Sequence, residues 1–253
     1  MKDLRLLLAL TGLFICEGSL WAATTVNLGT VSPVAGPGSL DLAGDILYAI
    51  HFGPNNPSTL TVNGVPFLSD TAPPPGASFV GPNSVPFPGW QTKPEFGGSA
   101  DDNALEDIYQ DIRWANNALG ETLQANLDVV AGEPYRLQLL FYGNHAVDDR
   151  RWDIVVDGAQ AVDQVVSLGV SNFGELPPYS PNQGLVYTYD FLAPDNQVNV
   201  VMGQLFGITE GADLNPIWQG LTLERIPEPA ALALGSFGLI ALLRRRRRFD
   251  RGA

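Results

Sequence analysis

Residues 123–226 of this chain alternate apolar and polar positions in a succession of short runs. Because successive side chains of a strand point to opposite faces of a sheet, each run predicts a strand with one buried face. The clearest runs are residues 123–129, 135–142, 152–156, 185–191, 198–202 and 218–226.

Two earlier apolar runs, Asp45–Phe52 and Thr59–Phe67, predict further strands. Asn63-Gly64 divides the second run with a residue pair that is typical of a tight hairpin turn. Asp157-Gly158 is the same kind of signal, and it precedes a predicted strand at Ala161–Leu168. The chain is therefore expected to form hairpins of short antiparallel strands.

Two longer stretches interrupt this pattern. Ser69–Gly98 holds seven prolines and five glycines, and Ser171–Gly184 holds three prolines. Proline lacks the amide hydrogen that a sheet needs, so both stretches are expected to be long irregular loops.

The segment Asn103–Trp114 is the one stretch outside the termini with helical periodicity. Its apolar residues fall on one face, namely Leu105, Ile108, Tyr109 and Ile112. The other face is expected to lie in water and carries Glu106, Asp107, Gln110, Asp111 and Arg113. Asn103 and Glu106 have the spacing of a capping box at the helix start. Together with the strands, this pattern predicts an all-β fold, a jelly-roll-like antiparallel β-sandwich with one short amphipathic helix.

The chain begins with the pattern of a secretory signal peptide. Two basic residues precede the apolar run Leu6–Ile15, and small residues follow at Ala22 and Ala23. We therefore expect residues 1–23 to be the signal peptide and residues 24–226 to be the exported domain.

The C-terminal segment, residues 227–253, combines a short motif, an apolar helix and a basic cluster. Pro227, Glu228 and Pro229 come first, and the almost wholly apolar residues 230–243 follow. At about 1.5 Å per residue this helix would reach about 21 Å, against a hydrocarbon core of about 30 Å. The basic residues that follow are expected to stay on the cytoplasmic side; they are Arg244, Arg245, Arg246, Arg247 and Arg248. The alternative interpretation is an ordinary C-terminal membrane anchor.

This segment resembles the PEP-CTERM sorting signal of Gram-negative bacteria, in which a Pro-Glu-Pro motif, a short membrane helix and a basic cluster follow one another in this order. The resemblance implies recognition by exosortase, a membrane enzyme that cuts near the motif. It makes exosortase and the secretion machinery the expected partners. The protein would then be anchored only transiently in the inner membrane, and would end in the cell envelope or outside the cell.

The charge and cysteine content of the exported part exclude some classes of partner and of reactive group. Residues 24–226 carry six basic and 23 acidic side chains, a net charge of −17 with neutral histidines. Such a surface repels phosphate backbones, so nucleic acid is not an expected partner. The single cysteine, Cys16, lies in the predicted signal peptide, so the exported domain has neither a disulfide nor a thiol nucleophile.

The order of strands and turns resembles the malectin-like or galactose-binding-like jelly rolls of secreted proteins. The residues that carry this resemblance are 49–53, 61–65, 135–142 with 150–158, and 220–223. It implies a sandwich of a kind that often binds carbohydrate, and it transfers no particular binding residue to this chain.

The densest polar cluster surrounds His145, in the loop expected between two core strands. Loops on a rigid sandwich are where binding groups are displayed. In a sugar site, carboxylates would accept hydroxyl hydrogens and aromatic rings would stack on sugar faces. The candidate ligand-binding residues are Tyr142, His145, Asp148, Asp149, Arg151, Trp152 and Trp90. The alternative is a solvated hairpin tip, in which each Asp–Arg pair contributes less than about 1 kcal/mol.

Asp101, Asp102 and Glu106 form a second candidate site, for Ca²⁺, because a hard cation takes several oxygen ligands. Their spacing matches no EF-hand loop, and a charged helix start is the interpretation we prefer. No other cofactor is expected.

The sequence contains no hydrolase, zinc-protease or P-loop motif, and only His51 and His145 could act as bases near neutral pH. Of these, His51 lies in a strand pattern and is expected to be a packed or edge residue. Paired carboxylates could form a glycosidase, but with 23 acidic residues some pairs arise by chance. We therefore expect a non-catalytic exported protein that binds carbohydrate, such as extracellular polysaccharide. The alternatives are a structural or adhesion component of the polysaccharide matrix and, third, a carbohydrate-active enzyme.

Mass spectrometry of the protein recovered from the culture tests both terminal assignments at once. We expect an intact mass that lacks residues 1–22 or 1–23 and also lacks Arg244–Arg248, because both segments would be removed during export. Full-length polypeptide in the cytosol, still carrying its arginines, would contradict both assignments.

Overall fold

The computed structural model describes residues 29–53, 59–80, 93–116, 118, 120–142, 152–157, 159–162, 184–203, 205 and 214–227. These residues form a sandwich of two β-sheets with one α-helix on its outer side. The all-β fold with a single helix is therefore confirmed.

The larger sheet has seven strands. In spatial order they are β1 (Thr30–Val34), β11 (Gly184–Leu192), β8 (Pro134–Tyr142), β14 (Gly220–Arg225), β2 (Asp45–His51), β4 (Val65–Ser69) and β3 (Thr59–Val62). Neighbouring strands run antiparallel except β2 and β4, which are parallel.

The smaller sheet has five antiparallel strands. In order they are β10 (Ala159–Val162), β9 (Asp153–Val156), β12 (Gln197–Gly203), β7 (Leu123–Asp128) and β5 (Ala77–Val80). A separate two-stranded ribbon pairs β6 (Arg113–Trp114) with β13 (Ile217–Trp218). The helix, α1, spans Ala100–Gln110, and a short 3-10 turn spans Pro37–Ser39.

The main hydrophobic core lies between the two sheets. β8 contributes Tyr135, Leu137, Leu139 and Phe141, every second residue, and all four are buried. β7, β11 and β12 place their alternate apolar residues in the same cluster. The period-two pattern in the sequence thus identified the core faces of these strands.

A second hydrophobic cluster lies on the outer face of the larger sheet, beneath α1. Leu140 and Tyr142 of β8 point into it, and Leu105, Ile108 and Tyr109 of the helix pack against them. The helix contacts β3 and β8. Fully burying one such side chain stabilises the fold by about 1.5–3 kcal/mol, so the helix is held mainly by this apolar face.

The helix starts one turn before the predicted capping box. Ser99 is the N-cap: its Oγ accepts a hydrogen bond from the Asp102 amide at 3.0 Å, and Asp102 Oδ2 accepts one from the Ser99 amide at 3.0 Å. The prediction that Asn103 and Glu106 form the cap is therefore wrong. Serine and aspartate at the same spacing satisfy the free amides of the first turn instead.

The helix also ends earlier than predicted, and part of its predicted polar face is buried. Asp111 and Glu106 are only 2% and 9% exposed. Glu106 Oε1 accepts a hydrogen bond from the Phe96 amide at 2.8 Å, which ties the preceding segment to the helix. Arg113 is extended in β6 instead of helical.

The predicted irregular loop Ser69–Gly98 contains a strand, β5, between Ala77 and Val80. This short alternating run was not predicted as a strand because prolines surround it. Its Phe79 points into the core. Its ring packs edge-on against Phe52, with the ring centroids 5.0 Å apart. Residues 81–92 of this stretch lie outside the described part of the chain.

The Asn63-Gly64 hairpin is confirmed. It joins β3 to β4, and both turn residues have positive φ, 49° and 79°. Asp157, which follows β9, also has a positive φ of 51°. Such left-handed conformations favour asparagine, aspartate and glycine, which is why these residue pairs were reliable turn signals.

Within the described residues, no helix is both long and apolar enough to cross a membrane. The predicted signal peptide, residues 1–23, and the predicted helix 230–243 lie outside those residues, as do Glu228, Pro229 and the arginine cluster Arg244–Arg248.

Removing the observed cap should weaken the helix measurably. Ser99→Ala should lower the free energy of unfolding by about 1 kcal/mol, because the Asp102 amide loses its acceptor. Asn103→Ala is the matched control, since Asn103 is an exposed position inside the helix and should tolerate alanine. Urea denaturation measures both. A larger loss for Asn103→Ala than for Ser99→Ala would mean that the observed cap is not the one that stabilises the helix.

Candidate functional site

One end of the sandwich gathers the strand ends that flank the predicted binding residues. In the larger sheet, Tyr142 at the end of β8 is paired with Gly184 at the start of β11. His51 at the end of β2 is paired with Gly220 at the start of β14. The register of β14 with β8 sets Gly220 opposite Leu140, two residues before Tyr142, so all four residues lie near the same end of the sheet. We call this end of the sandwich the loop end.

Strands of the smaller sheet also begin or end at the loop end. Gly203 at the end of β12 is paired with Asp153 at the start of β9, and Val80 closes β5 opposite Gln124. Trp152, just before β9, packs on Phe141 of the larger sheet, with ring centroids 5.4 Å apart. The ends of both sheets thus form one platform, and segment 143–151 is joined to this platform at both of its ends.

A buried ion pair fixes this platform. Asp70, just after β4, accepts a hydrogen bond from the Gly53 amide at 3.3 Å, and its other oxygen lies 2.8 Å from Arg113 Nη2. The side chains of Asp70 and Arg113 are 2% and 11% exposed. Because these charges are removed from water, each depends on the other for compensation.

Aromatic rings also pack around Arg113. The Arg113 guanidinium carbon lies 5.9 Å from the ring centroids of both Phe52 and Phe79, within the range of cation–π attraction. Phe52 also packs on Trp218, with centroids 4.6 Å apart. The Asp70–Arg113 pair therefore connects both sheets and the β6–β13 ribbon at the loop end.

Several buried polar atoms at the loop end have no hydrogen-bond partner among the described residues. They are Arg113 Nε, Trp114 Nε1, Trp152 Nε1 and Gln219 Oε1. Buried polar atoms in folded proteins are nearly always hydrogen-bonded to protein or water. The loop end thus concentrates hydrogen-bonding capacity that the described protein atoms do not use.

Two of the predicted ligand-binding residues are placed by the structure, and both are fully buried. Tyr142 packs on Tyr109 in the cluster beneath the helix, with ring centroids 6.1 Å apart. Burial raises the pKa of Tyr142 to about 12, so its hydroxyl stays neutral. Trp152 lies in the main core. These rings anchor the two ends of segment 143–151 and do not present a face on which a sugar could stack in this structure.

The remaining predicted ligand-binding residues, His145, Asp148, Asp149, Arg151 and Trp90, lie outside the described residues. His51, expected to be a packed or edge residue of a strand, is buried at the end of β2.

The acidic residues considered for calcium accept hydrogen bonds from backbone amides. Asp101 Oδ1 accepts one from the Asn63 amide at 3.1 Å, while Asp102 closes the capping box and Glu106 binds the Phe96 amide. Among the described residues, no group of three or more histidine, cysteine, aspartate or glutamate side chains is arranged to hold a metal ion. Calcium binding stays a prediction.

Sequence reasoning missed a polar network on the outer face of the larger sheet. Arg136 pairs with both Asp41 and Asp190. Glu224 lies beside them, 6% exposed, and its Oε2 has no partner among the described residues. Burial, reinforced by the charge of Asp41, raises the pKa of Glu224. Since Asp41 also exchanges hydrogen bonds with Gln138 of β8, the network fastens the β1–β2 connection to the sheet.

Solved structures with a likeness to this chain include plant receptor ectodomains. A crystal structure of the plant receptor-like kinase ANX2 is 13% identical, with a TM-score of 0.49, over 80% of this chain and 55% of that one. The extracellular domain of ANXUR1 from Arabidopsis thaliana is 10% identical, with a TM-score of 0.48, over 79% and 55%. This chain thus spans about half the length of the receptor chains it matches.

A Bacteroides uniformis beta-glucuronidase is 15% identical, with a TM-score of 0.48, over 71% of this chain and 18% of the enzyme. No protein-family model matches the chain, and no curated protein matches it significantly. At TM-scores below 0.5, however, these likenesses indicate nothing about activity, ligand or partner, and the assignment of a β-sandwich rests on the sheets themselves.

Removing the acid of the buried ion pair should destabilise the protein strongly. Asp70→Asn should lower the free energy of unfolding by about 3 kcal/mol, because Arg113 would stay buried without a counter-charge. Asp45→Asn is the matched control: it also removes the partner of an arginine, Arg225, but these side chains are 51% and 45% exposed. Its cost should stay below about 1 kcal/mol. Similar losses for the two variants in chemical denaturation would rule out Asp70 as the anchor of the loop end.

Proposed function

We propose that residues 24–226 form an exported, non-catalytic module that binds carbohydrate at the loop end. The supporting observation is the gathering of strand ends at this end of both sheets, held by the Asp70–Arg113 pair. Segment 143–151, which carries most of the predicted binding residues, is attached there. A rigid scaffold that displays several segments on one side is the usual arrangement of a binding protein with a β-sandwich fold.

In this proposal the acidic residues Asp148 and Asp149 accept hydrogen bonds from sugar hydroxyls, and Trp90 supplies the stacking ring. His145 and Arg151 add hydrogen-bond donors. Tyr142 and Trp152 act as anchors of the loop, because both rings are buried.

In this proposal the terminal segments target the protein for export. The signal peptide starts export. The PEP-CTERM segment, which begins at Pro227–Pro229, anchors the protein transiently in the inner membrane, where exosortase recognises it. The net charge of −17 on residues 24–226 keeps the released domain soluble outside the cell. Extracellular polysaccharide is then the ligand that it would meet.

A glycan array with the purified protein tests this function. We expect saturable binding to at least one glycan, and Asp149→Ala should weaken it about tenfold, since a hydrogen bond to a charged group contributes about 1.5–3 kcal/mol. Glu133→Ala is the control. It removes one negative charge from the turn between β7 and β8, at the opposite end of the sandwich, and should leave binding unchanged.

Other outcomes of the array identify the alternatives. Absence of saturable binding would favour a structural or adhesion component of the matrix. Unchanged binding by Asp149→Ala would show that the site is wrongly placed. Release of reducing sugar by the purified protein would replace the binding module by a carbohydrate-active enzyme.

A further inference from the structure

The outer face of the smaller sheet carries an ordered set of uncharged polar side chains. In β12, Val198 and Val200 lie in the core, so Asn199 between them points outward. β7 alternates in the same way and turns Gln124 and Asn126 outward. These residues are partly exposed, in contrast to the buried polar atoms of the loop end.

Strand register aligns the outward side chains in two rows across the sheet. In one row Asn199 is opposite Asn126, which is in turn opposite Ser78 of β5. The neighbouring row consists of Val155, Val201, Gln124 and Val80. We call these two rows the amide face. It lies on the outer face of the smaller sheet and borders the loop end, where Val80 and Gln124 stand.

Hydrogen bonds within the amide face orient its side chains. Gln124 Nε2 donates to Asn126 Oδ1 at 2.7 Å, and Asn126 Nδ2 donates to Ser78 Oγ at 3.3 Å. This chain of bonds leaves the Gln124 carbonyl oxygen as an acceptor and the Ser78 hydroxyl as a donor. Because the amides are already ordered, a ligand that binds them loses less conformational entropy.

The residue types in these rows are unexpected on general grounds. Asparagine is depleted in strands, yet Asn126 and Asn199 stand directly opposite each other on adjacent strands inside the sheet. Asp157 flanks the first row next to Asn199, and its Oδ1 accepts a hydrogen bond from the Asn199 amide at 2.7 Å. The members of the two rows are themselves uncharged, although residues 24–226 carry a net charge of −17. Positions at which the local preference of the sequence and the structure disagree are expected at functional or strained sites.

The dimensions of the amide face indicate the kind of ligand. Four strands about 4.8 Å apart and two outward positions about 6.8 Å apart give roughly 14 by 7 Å. A stable protein interface buries about 800 Å² on each partner, several times this area. A second copy of the chain or another folded protein is therefore a poor fit, whereas a narrow extended chain crossing the strands is a good one.

We propose that the amide face is a second binding site, which takes an uncharged glycan chain running across the strands. Amide groups of Gln124, Asn126 and Asn199 would exchange hydrogen bonds with sugar hydroxyls, because each amide both donates and accepts. The neighbouring valines give the C–H faces of the sugar rings an apolar surface. This site goes beyond the proposed function, which places the ligand at the loop end alone.

The test replaces the two opposed asparagines by threonine. Asn126→Thr/Asn199→Thr removes both amides but favours the strand, so the urea midpoint should stay the same or rise. Affinity electrophoresis of the full chain through laminarin, linear mannan and linear galactan should show retardation by at least one of these uncharged polymers. The double variant should bind that polymer at least tenfold more weakly. Polygalacturonate serves as the charged comparison polymer and should retard neither protein.

Gln197→Thr is the matched control, since Gln197 is exposed on the same strand but outside the two rows, and it should bind like the parent. Unchanged retardation of the double variant would overturn the amide face as a glycan site. So would failure of all three uncharged polymers to retard the parent. A shift of the double variant from dimer to monomer in sedimentation would show instead that the face binds a second copy, which also overturns the proposal.

Asp149→Ala in the same gels separates this proposal from the proposed function. Weaker binding by Asp149→Ala alone would leave the loop end as the sole site. Weaker binding by the asparagine variant alone would support the amide face and reject the loop end. Weaker binding by both, to the same polymer, is the result that we expect.

Discussion

The burial of β8 on both of its faces is the constraint on which the rest of the structure depends. One face lies in the core between the sheets, and the other lies beneath α1, so nearly every side chain from Tyr135 to Tyr142 is removed from water. At about 1.5–3 kcal/mol for each large apolar side chain, this strand contributes more than any surface interaction described above. Its backbone bonds to β11 and β14 place three segments that are far apart in sequence side by side.

This arrangement leaves only part of the surface free for recognition. The outer face of the larger sheet is occupied by the helix and by the Arg136 network, which fastens the β1–β2 connection. Among the described residues, the loop end and the outer face of the smaller sheet are the surfaces that remain. They differ in chemistry: the loop end is built on a buried ion pair and aromatic rings, whereas the amide face presents uncharged groups in strand register.

Two neighbouring binding surfaces on one rigid sandwich would suit a long polymeric ligand better than a short one. When two weak sites engage the same chain, the second contact is intramolecular, and the overall affinity exceeds that of either site alone. Such a protein would bind a matrix polysaccharide firmly through contacts that are individually weak. The acidic remainder of the surface would keep neighbouring copies apart through like-charge repulsion.

The features that the sequence by itself determined are those that depend on near neighbours. Side-chain alternation identified the core faces of β7, β8, β11 and β12, and Asn63-Gly64 identified its hairpin, because strand faces and turn dihedrals are set within a few residues. Even here the helix start was misplaced, since several polar residues of that segment could cap and the residue that does so is Ser99.

The features that only tertiary structure decided depend on strands brought together from distant parts of the chain. The Asp70–Arg113 pair, the parallel contact of β2 with β4, and the opposition of Asn126 to Asn199 leave no local signal in the sequence. The same is true of the ends of the segment proposed as the site: its position between β8 and β9 follows from the sequence, but the burial of Tyr142 and Trp152 follows from α1 and the second sheet covering the strand ends. Composition and periodicity specify which residues prefer to be buried, and only the pairing of the sheets determines what they are buried against.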